Sequence, residues 1–221
     1  MNQHILDIHT HHEYGKPGET IVCKMPRDFV PTPGCWYSVG IHPWEVLNYN
    51  NKELLDLYSL ANHHQVLAIG ETGFDRNRSL GQFSQALLFA NHSNLADEVG
   101  KPLIIHMVKA ADLVLAEKKK LNPKVPWIIH GFRGKPQEAE QLLKANLYLS
   151  YGEHYNVESL RATPLDRIFL ETDEATCGIG FIYNKVSADL GIEVERLREV
   201  VKNNIECIFF NRDSSLFGQK L

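Results

Sequence analysis

Three histidines crowd into the stretch ILDIHTHHEYG: His9, His11 and His12. Period-two alternation along a strand sends His9 and His11 to one face and His12 to the other. A pair of imidazoles at the end of an apolar run is suited to a divalent metal. Further polar residues close other apolar runs downstream: His42, Glu71, His106, His130 and Asp173. Five of the eleven histidines are therefore found at such ends, together with two carboxylates. If the fold brings those ends together, the result is an imidazole and carboxylate ring fit for a hard-to-borderline divalent cation. His4, His63, His64, His92 and His154 lie in helix-like, loop or strand-start contexts and read as ordinary satisfied polar residues. Asp7 and Glu171 share strand parity with His9 and Asp173, and read as partners that orient ligands.

The runs that would position these residues lie near 4–9, 20–24, 36–42, 65–71, 102–106, 125–130, 146–152 and 167–173. Each is short, apolar and rich in β-branched residues, giving eight candidate strands. Helical patterns separate most of them. Leu54, Leu55, Leu57, Tyr58 and Ala61 mark one. Another opens at the pair Ser79 and Gln82, which has capping-box spacing, runs through Phe83, Leu87 and Ala90, and stops at Gly100. Pro136 fits the first turn of a third, carrying Leu142 and Leu143. Val194, Leu197, Val201, Ile205 and Ile208 give the last its three-and-four spacing. Apolar strands alternating with helices imply a parallel sheet covered on both faces, and eight of them imply an α/β fold, a closed (β/α)8 TIM barrel. Such barrels run to about 250 residues, so this one is expected to be trimmed. HEYGKPGE and MPRDFVPTPGC, after the first two strands, are too rich in Gly and Pro for full helices. In this architecture the C-terminal strand ends form one rim, where active sites lie.

No linker, charge block or repeat divides residues 1–221, which are read as one domain. A net charge of −4 excludes a globally basic nucleic-acid trap; a polyanion site needs a local basic patch or bound metal. Cys23, Cys35, Cys177 and Cys207 are scattered without a CxxC pair, which favours a reducing compartment and argues against a thiolate zinc site. No apolar run reaches the roughly 18 residues of a membrane span, and the N-terminus has no signal-peptide character. A cytoplasmic protein is expected, with no membrane partner and no stable protein partner implied. GxSxG, GxxxxGK[ST] and HExxH are absent, and Ser84 and Ser150 have no evident base.

The blocks DIHTH (7–11), GIHPW (40–44), AIGETGFD (68–75), KPLIIH (101–106), HGFRG (130–134), LDRIFLETD (165–173) and NNIECIF (203–209) occur in that order. Together they resemble the TatD-type metal-dependent hydrolases, a branch of the amidohydrolase-like barrels that includes deoxyribonucleases. The blocks cover nearly the whole chain.

The resemblance implies two divalent metal ions. His9 and His11 would bind one, His106 and His130 the other, with Glu71 bridging and Asp173 on the first-metal side beside an attacking water. Two cations about 3.5–4 Å apart would activate that water and clamp a phosphoryl group. Asp173 would move its proton, so Asp173 and Glu71 are the expected catalytic residues. His42 and Asp75 fall in motif positions beside the site. His42, Lys109 and Arg133 are expected to meet substrate. Arg76, Arg78 and Lys135 are further phosphate-contacting candidates, with solvated surface charge as the competing reading. Two departures fall on the substrate rim. Val108 stands where many members carry arginine, with Lys109 next, and ETDEATCG lacks the usual proline. Zinc, nickel, manganese or iron suits four histidines and two carboxylates, and magnesium suits them least. The expected function is phosphodiester cleavage on DNA, as a 3′–5′ exonuclease, or on a smaller phosphodiester. The alternative enzyme cleaves a carboxylic ester, lactone or amide at the same centre. The alternative of another class is a non-catalytic metal-binding protein.

Overall fold

The computed structural model describes residues 5–12, 17–78 and 81–210. Eight parallel strands follow one another around the sheet in sequence order. They are β1 (Asp7–Thr10), β2 (Thr20–Lys24), β3 (Trp36–Val39), β4 (Val66–Asp75), β5 (Leu103–Val108), β6 (Trp127–Ile129), β7 (Tyr148–Tyr151) and β8 (Ile168–Leu170). Every run expected to form a strand contributes one. The ring closes just beyond β8, where Asp173 and Thr10 form a parallel bridge. Asp173 N–H donates to the His9 carbonyl at 2.9 Å, and His11 N–H donates to the Asp173 carbonyl at 3.1 Å. The fold is the expected trimmed (β/α)8 barrel.

The trimming lies where Gly and Pro cluster. The described residues between β1 and β2 hold no helix, and one 3-10 turn, Pro26–Asp28, stands between β2 and β3. The full helices are α1 (Asn51–Leu60), α2 (Gln82–Val99), α3 (Ala111–Leu121), α4 (Pro136–Lys144), α5 (Val157–Ala162), α6 (Ile179–Leu190) and α7 (Val194–Phe209). α1 starts at a capping box: Asn50 accepts from Glu53 N–H while Glu53 accepts from Asn50 N–H. Pro136 sits in the first turn of α4, where its missing N–H costs nothing. Gly100 ends α2 in the left-handed region at φ 65°.

Two expectations are corrected. The N-cap of α2 is Gly81, with no side-chain cap, and Gln82 is the first helical residue rather than the third; Ser79 lies outside the described residues. Phe83 and Leu87 are exposed, as are Leu55 and Tyr58 on α1. The buried face of α2 instead carries Gln85, Leu88, Phe89, His92 and Leu95. Polar residues on that face serve the barrel, so hydrophobicity alone picks the wrong side. Gln85 Oε1 accepts from Asp75 N–H, and His92 Nε2 accepts from Ile41 N–H at 2.9 Å. α7 keeps its expected face, burying Leu197, Val201 and Ile205.

The core between sheet and helices is aromatic on one side. Phe74, Phe89 and Trp127 pack in succession with 5.0 Å between neighbouring centroids, the first pair tilted and the second edge-to-face. Each such buried side chain contributes about 1.5–3 kcal/mol of hydrophobic stabilisation. Close packing also needs glycine. A Cβ at Gly40 would sit 2.6 Å from the Gly70 backbone, and one at Gly73 would overlap the His106 carbonyl oxygen. Both glycines bring neighbouring strand ends together under the rim. No helix among the described residues is long and apolar enough to cross a membrane.

Candidate metal centre

Glu71 is buried midway along β4, which runs on to Asp75, and forms the centre of the site. Its two oxygens face different imidazoles. Oε2 lies 3.1 Å from His11 Nε2 and 3.4 Å from His9 Nε2. Oε1 lies 2.6 Å from His106 Nδ1, 2.7 Å from His130 Nε2 and 3.2 Å from His42 Nε2. Five strand-end histidines thus divide into two sets around one carboxylate. Asp173 Oδ1 stands 3.7 Å from His11 Nε2 and 3.9 Å from His9 Nε2. Its backbone is left-handed at φ 54°, a conformation Asp tolerates better than most residues.

A second layer orients these rings. Glu171 Oε1 accepts from Gly131 N–H at 2.6 Å and lies 3.2 Å from His130 Nδ1, the orienting role expected of it. Asp7 instead binds backbone and hydroxyl groups: His9 N–H at 3.2 Å, Thr172 N–H at 3.1 Å and Thr172 Oγ1 at 2.6 Å. It therefore holds β1 against the segment after β8. Asp75 Oδ2 receives the Trp44 indole N–H at 2.7 Å and stands 3.4 Å from His106 Nε2. Trp44 also donates its backbone N–H to His42 Nδ1 at 3.1 Å, which leaves Nε2 facing Glu71. His42, expected to meet substrate, lies beside His106 with Nε2 against Glu71 and also lines the smaller cleft. His12 turns away and bonds the Ala175 carbonyl at 2.8 Å.

Charge in the cluster follows from these contacts. Burial opposes ionisation of Glu71, but His130, His106 and His11 outweigh it and hold the carboxyl well below its usual range. Burial likewise opposes charge on His130, yet Glu71 and Glu171 raise its pKa well above the ordinary value. For His42 burial wins and the pKa falls. Burial pushes Asp7 up to about 7 against its hydrogen bonds to Thr172 and His9.

The donor set fits divalent metal on two grounds. Both ring nitrogens of His9 are buried without a hydrogen-bond partner, as is Glu171 Oε2. Three groups also bring ligand atoms within 4.8 Å of one another: His9, His11, Cys23 and Glu71; His9, His130 and Asp173; His42, Glu71 and His106. Cys23, near the end of β2, and Trp44 are the residues that sequence reasoning missed. Trp44 stands in the GIHPW block beside His42, but no spacing rule links Cys23 to the cluster.

A cleft of about 550 Å³ runs along this centre between Trp44, His106, His130 and Asp173, with Lys109 and Arg133 in its wall. A second of about 260 Å³ adds His11, His42 and Glu71. Arg76 is held away by two 2.7 Å contacts to Asp112, and Arg78 lies over the Trp44 ring, 4.0 Å from its centroid. Lys135 is the exposed N-cap residue of α4.

Fold and site together define a class: a (β/α)8 barrel whose C-terminal rim carries a histidine and carboxylate cluster of metal-ligand type. Within that class the chain belongs to the TatD related DNase family, whose profile matches residues 27–210. It is 35% identical over 162 residues to the 3'-5' ssDNA/RNA exonuclease TatD of Cronobacter sakazakii, covering 68% of this chain and 60% of that protein. It is 32% identical over 145 residues to an uncharacterized metal-dependent hydrolase of Bacillus subtilis, covering 62% of this chain and 57% of that one. The matched region thus spans only about 60% of these relatives' length. A TatD homologue from Escherichia coli superposes with a TM-score of 0.81 at 18% identity, covering 96% of this chain and all of the other. A TatD family hydrolase from Entamoeba histolytica gives 0.77 at 17%, with 96% and 100% covered.

Proposed function

We propose that the protein is a metal-dependent phosphodiesterase that removes nucleotides from the 3′ ends of single-stranded nucleic acid. The observation that carries this reading is the division of five imidazoles between the two oxygens of buried Glu71. Glu71 would hold cations together with His9 and His11 on one side and His106 and His130 on the other. Zinc, nickel, manganese and iron suit so much imidazole better than magnesium does. When bound, the cations supply Lewis acidity toward a phosphoryl oxygen and acidity to a water.

The chain's own residues supply the remaining steps. Asp173 Oδ1, partly exposed and beside His9 and His11, accepts the proton of the attacking water and returns it to the leaving oxygen. Glu171 and Asp75 fix the rings of His130 and His106, so the ligands are held before substrate arrives. Lys109 and Arg133, exposed in the wall of the larger cleft, meet phosphates next to the scissile one. The exonuclease name of the Cronobacter sakazakii relative supports this substrate class.

The test uses metal-loaded protein and single-stranded DNA and RNA labelled at either end, beside a panel of lactones, carboxylic esters and amides. Stepwise shortening from the 3′ end, lost on chelation, is expected. Turnover of the panel with nucleic acid left intact would overturn the reading.

A further inference from the structure

We propose that Cys23 is a ligand of this centre, its thiolate joining His9, His11 and Glu71 around one cation. The inference rests on the metal-centre reading and adds to it a sulfur donor that the histidine and carboxylate pattern does not contain. Cys23 Sγ, a ring nitrogen from each of His9 and His11 and a Glu71 oxygen all lie within 4.8 Å of one another. Four ligands at zinc distances of about 2.0–2.3 Å stand roughly 3.3–3.8 Å apart. Glu71 Oε2 is already 3.4 Å from His9 Nε2 and 3.1 Å from His11 Nε2. Closing the sulfur side therefore takes a shift of about 1 Å or less.

A second, independent observation points the same way. His9 is fully buried and neither ring nitrogen has a hydrogen-bond partner. A buried imidazole in that condition is destabilising unless something coordinates it. The strand order accounts for the sulfur's position. β2 lies directly beside β1, and Thr10 pairs with Val22, so Cys23 is the next residue up toward the rim. Cys23 Sγ has a long 4.0 Å contact to the Gly70 carbonyl and further contacts to Ser38 and the Glu71 backbone, which hold it on the Glu71 side of the cluster. Coordination releases the thiol proton to solvent as the Sγ–metal bond forms. Asp173 Oδ1 stands beside the same two imidazoles, 3.7 Å from His11 Nε2 and 3.9 Å from His9 Nε2, and is grouped within 4.8 Å with His9 and His130 rather than with Cys23. The consequence is metal choice: a thiolate shifts preference toward zinc, iron or cobalt and away from magnesium and manganese.

The test is an anaerobic titration of metal-free protein with cobalt(II), followed by absorption. Visible d–d bands report that cobalt is bound, and a near-ultraviolet charge-transfer band reports that a thiolate binds it. Both are expected at the first equivalent. C23S should keep the visible bands and lose the charge-transfer band, and its zinc affinity should fall by about tenfold or more. C23D supplies a carboxylate in place of the thiolate and should retain zinc without the band, which separates lost ligation from lost folding. Visible bands without a charge-transfer band, or a band that persists in C23S, overturn the inference and leave the centre standing. No binding of cobalt or zinc by the parental protein overturns the centre itself and the inference with it.

Discussion

Asp173 has one partly exposed carboxylate beside two imidazoles, and its left-handed backbone is fixed by hydrogen bonds to His9 and His11. Its side chain can therefore change without loss of the closing bridge, which uses only main chain. D173N should fold normally and lower turnover by about 10²–10⁴-fold, the usual contribution of a placed proton acceptor. Steady-state kinetics beside circular dichroism checks this, and a parental rate would sink the assignment. The histidines of the first strand end give a second contrast. His9 and His11 face Glu71, whereas His12 bonds the Ala175 carbonyl. H9A and H11A should lose bound metal, and H12A should keep the parental amount, by elemental analysis after dialysis. Equal loss in H12A would mean that strand parity does not govern ligation.

At the scale of elements, α2 is tied to the rim through a buried imidazole. His92 accepts from Ile41 N–H through Nε2, and its Nδ1 lies 2.8 Å from the Leu88 carbonyl. Burial pushes its pKa from 6.5 down to about 4. The folded state therefore binds this proton less readily than the unfolded chain. Its contribution is complete above pH 6.5, declines as pH falls, and is gone near pH 4. The difference between 6.5 and about 4 is worth about 3 kcal/mol. Gln can accept the same backbone bond but does not titrate. H92Q should therefore show a shallower loss of stability than the parent between pH 6.5 and 4 in urea unfolding, and identical slopes would refute this. The capping box of α1 is simpler. N50A removes an acceptor for Glu53 N–H and should cost about 1 kcal/mol, seen as a lower Tm.

The whole molecule carries a net charge of −4, so attraction of a polyanion must be local. Lys109 and Arg133 share the cleft beside the cluster, whereas Arg76 is committed to Asp112. Charge removal at the first pair should weaken single-stranded DNA binding at every sequence. For two phosphate contacts the slope of log K against log salt should become shallower by about 1.4 in the double variant K109A/R133A. An unchanged slope would place these residues away from the strand. R76A is the matched control, with little effect expected on that slope.

Much of this was legible in sequence because a parallel barrel imposes local rules. Strand runs are short, apolar and bounded, so all eight were visible, and the Gly- and Pro-rich stretches after β1 and β2 hold no full helix among the described residues. His9, His11, Glu71, His106, His130 and Asp173 could be picked out because each closes such a run, and barrel geometry gathers strand ends on one rim. What remained hidden depends on contacts between elements. The face of α2 is set by Gln85 and His92 reaching Asp75 and Ile41, so an apolar count favours Phe83 and Leu87 on the wrong side. The Trp44–Asp75–His106 chain joins residues 31 positions apart at each link. Cys23 stands alone in the sequence and enters the cluster only because β2 lies against β1 and its sulfur comes within reach of Glu71. By itself, the sequence determined the strands, the rim and the residue types on it, since those follow from periodicity along one segment. Only the tertiary structure decided which oxygen of Glu71 meets which imidazole and that a thiol joins them, because such distances arise from strand register and packing.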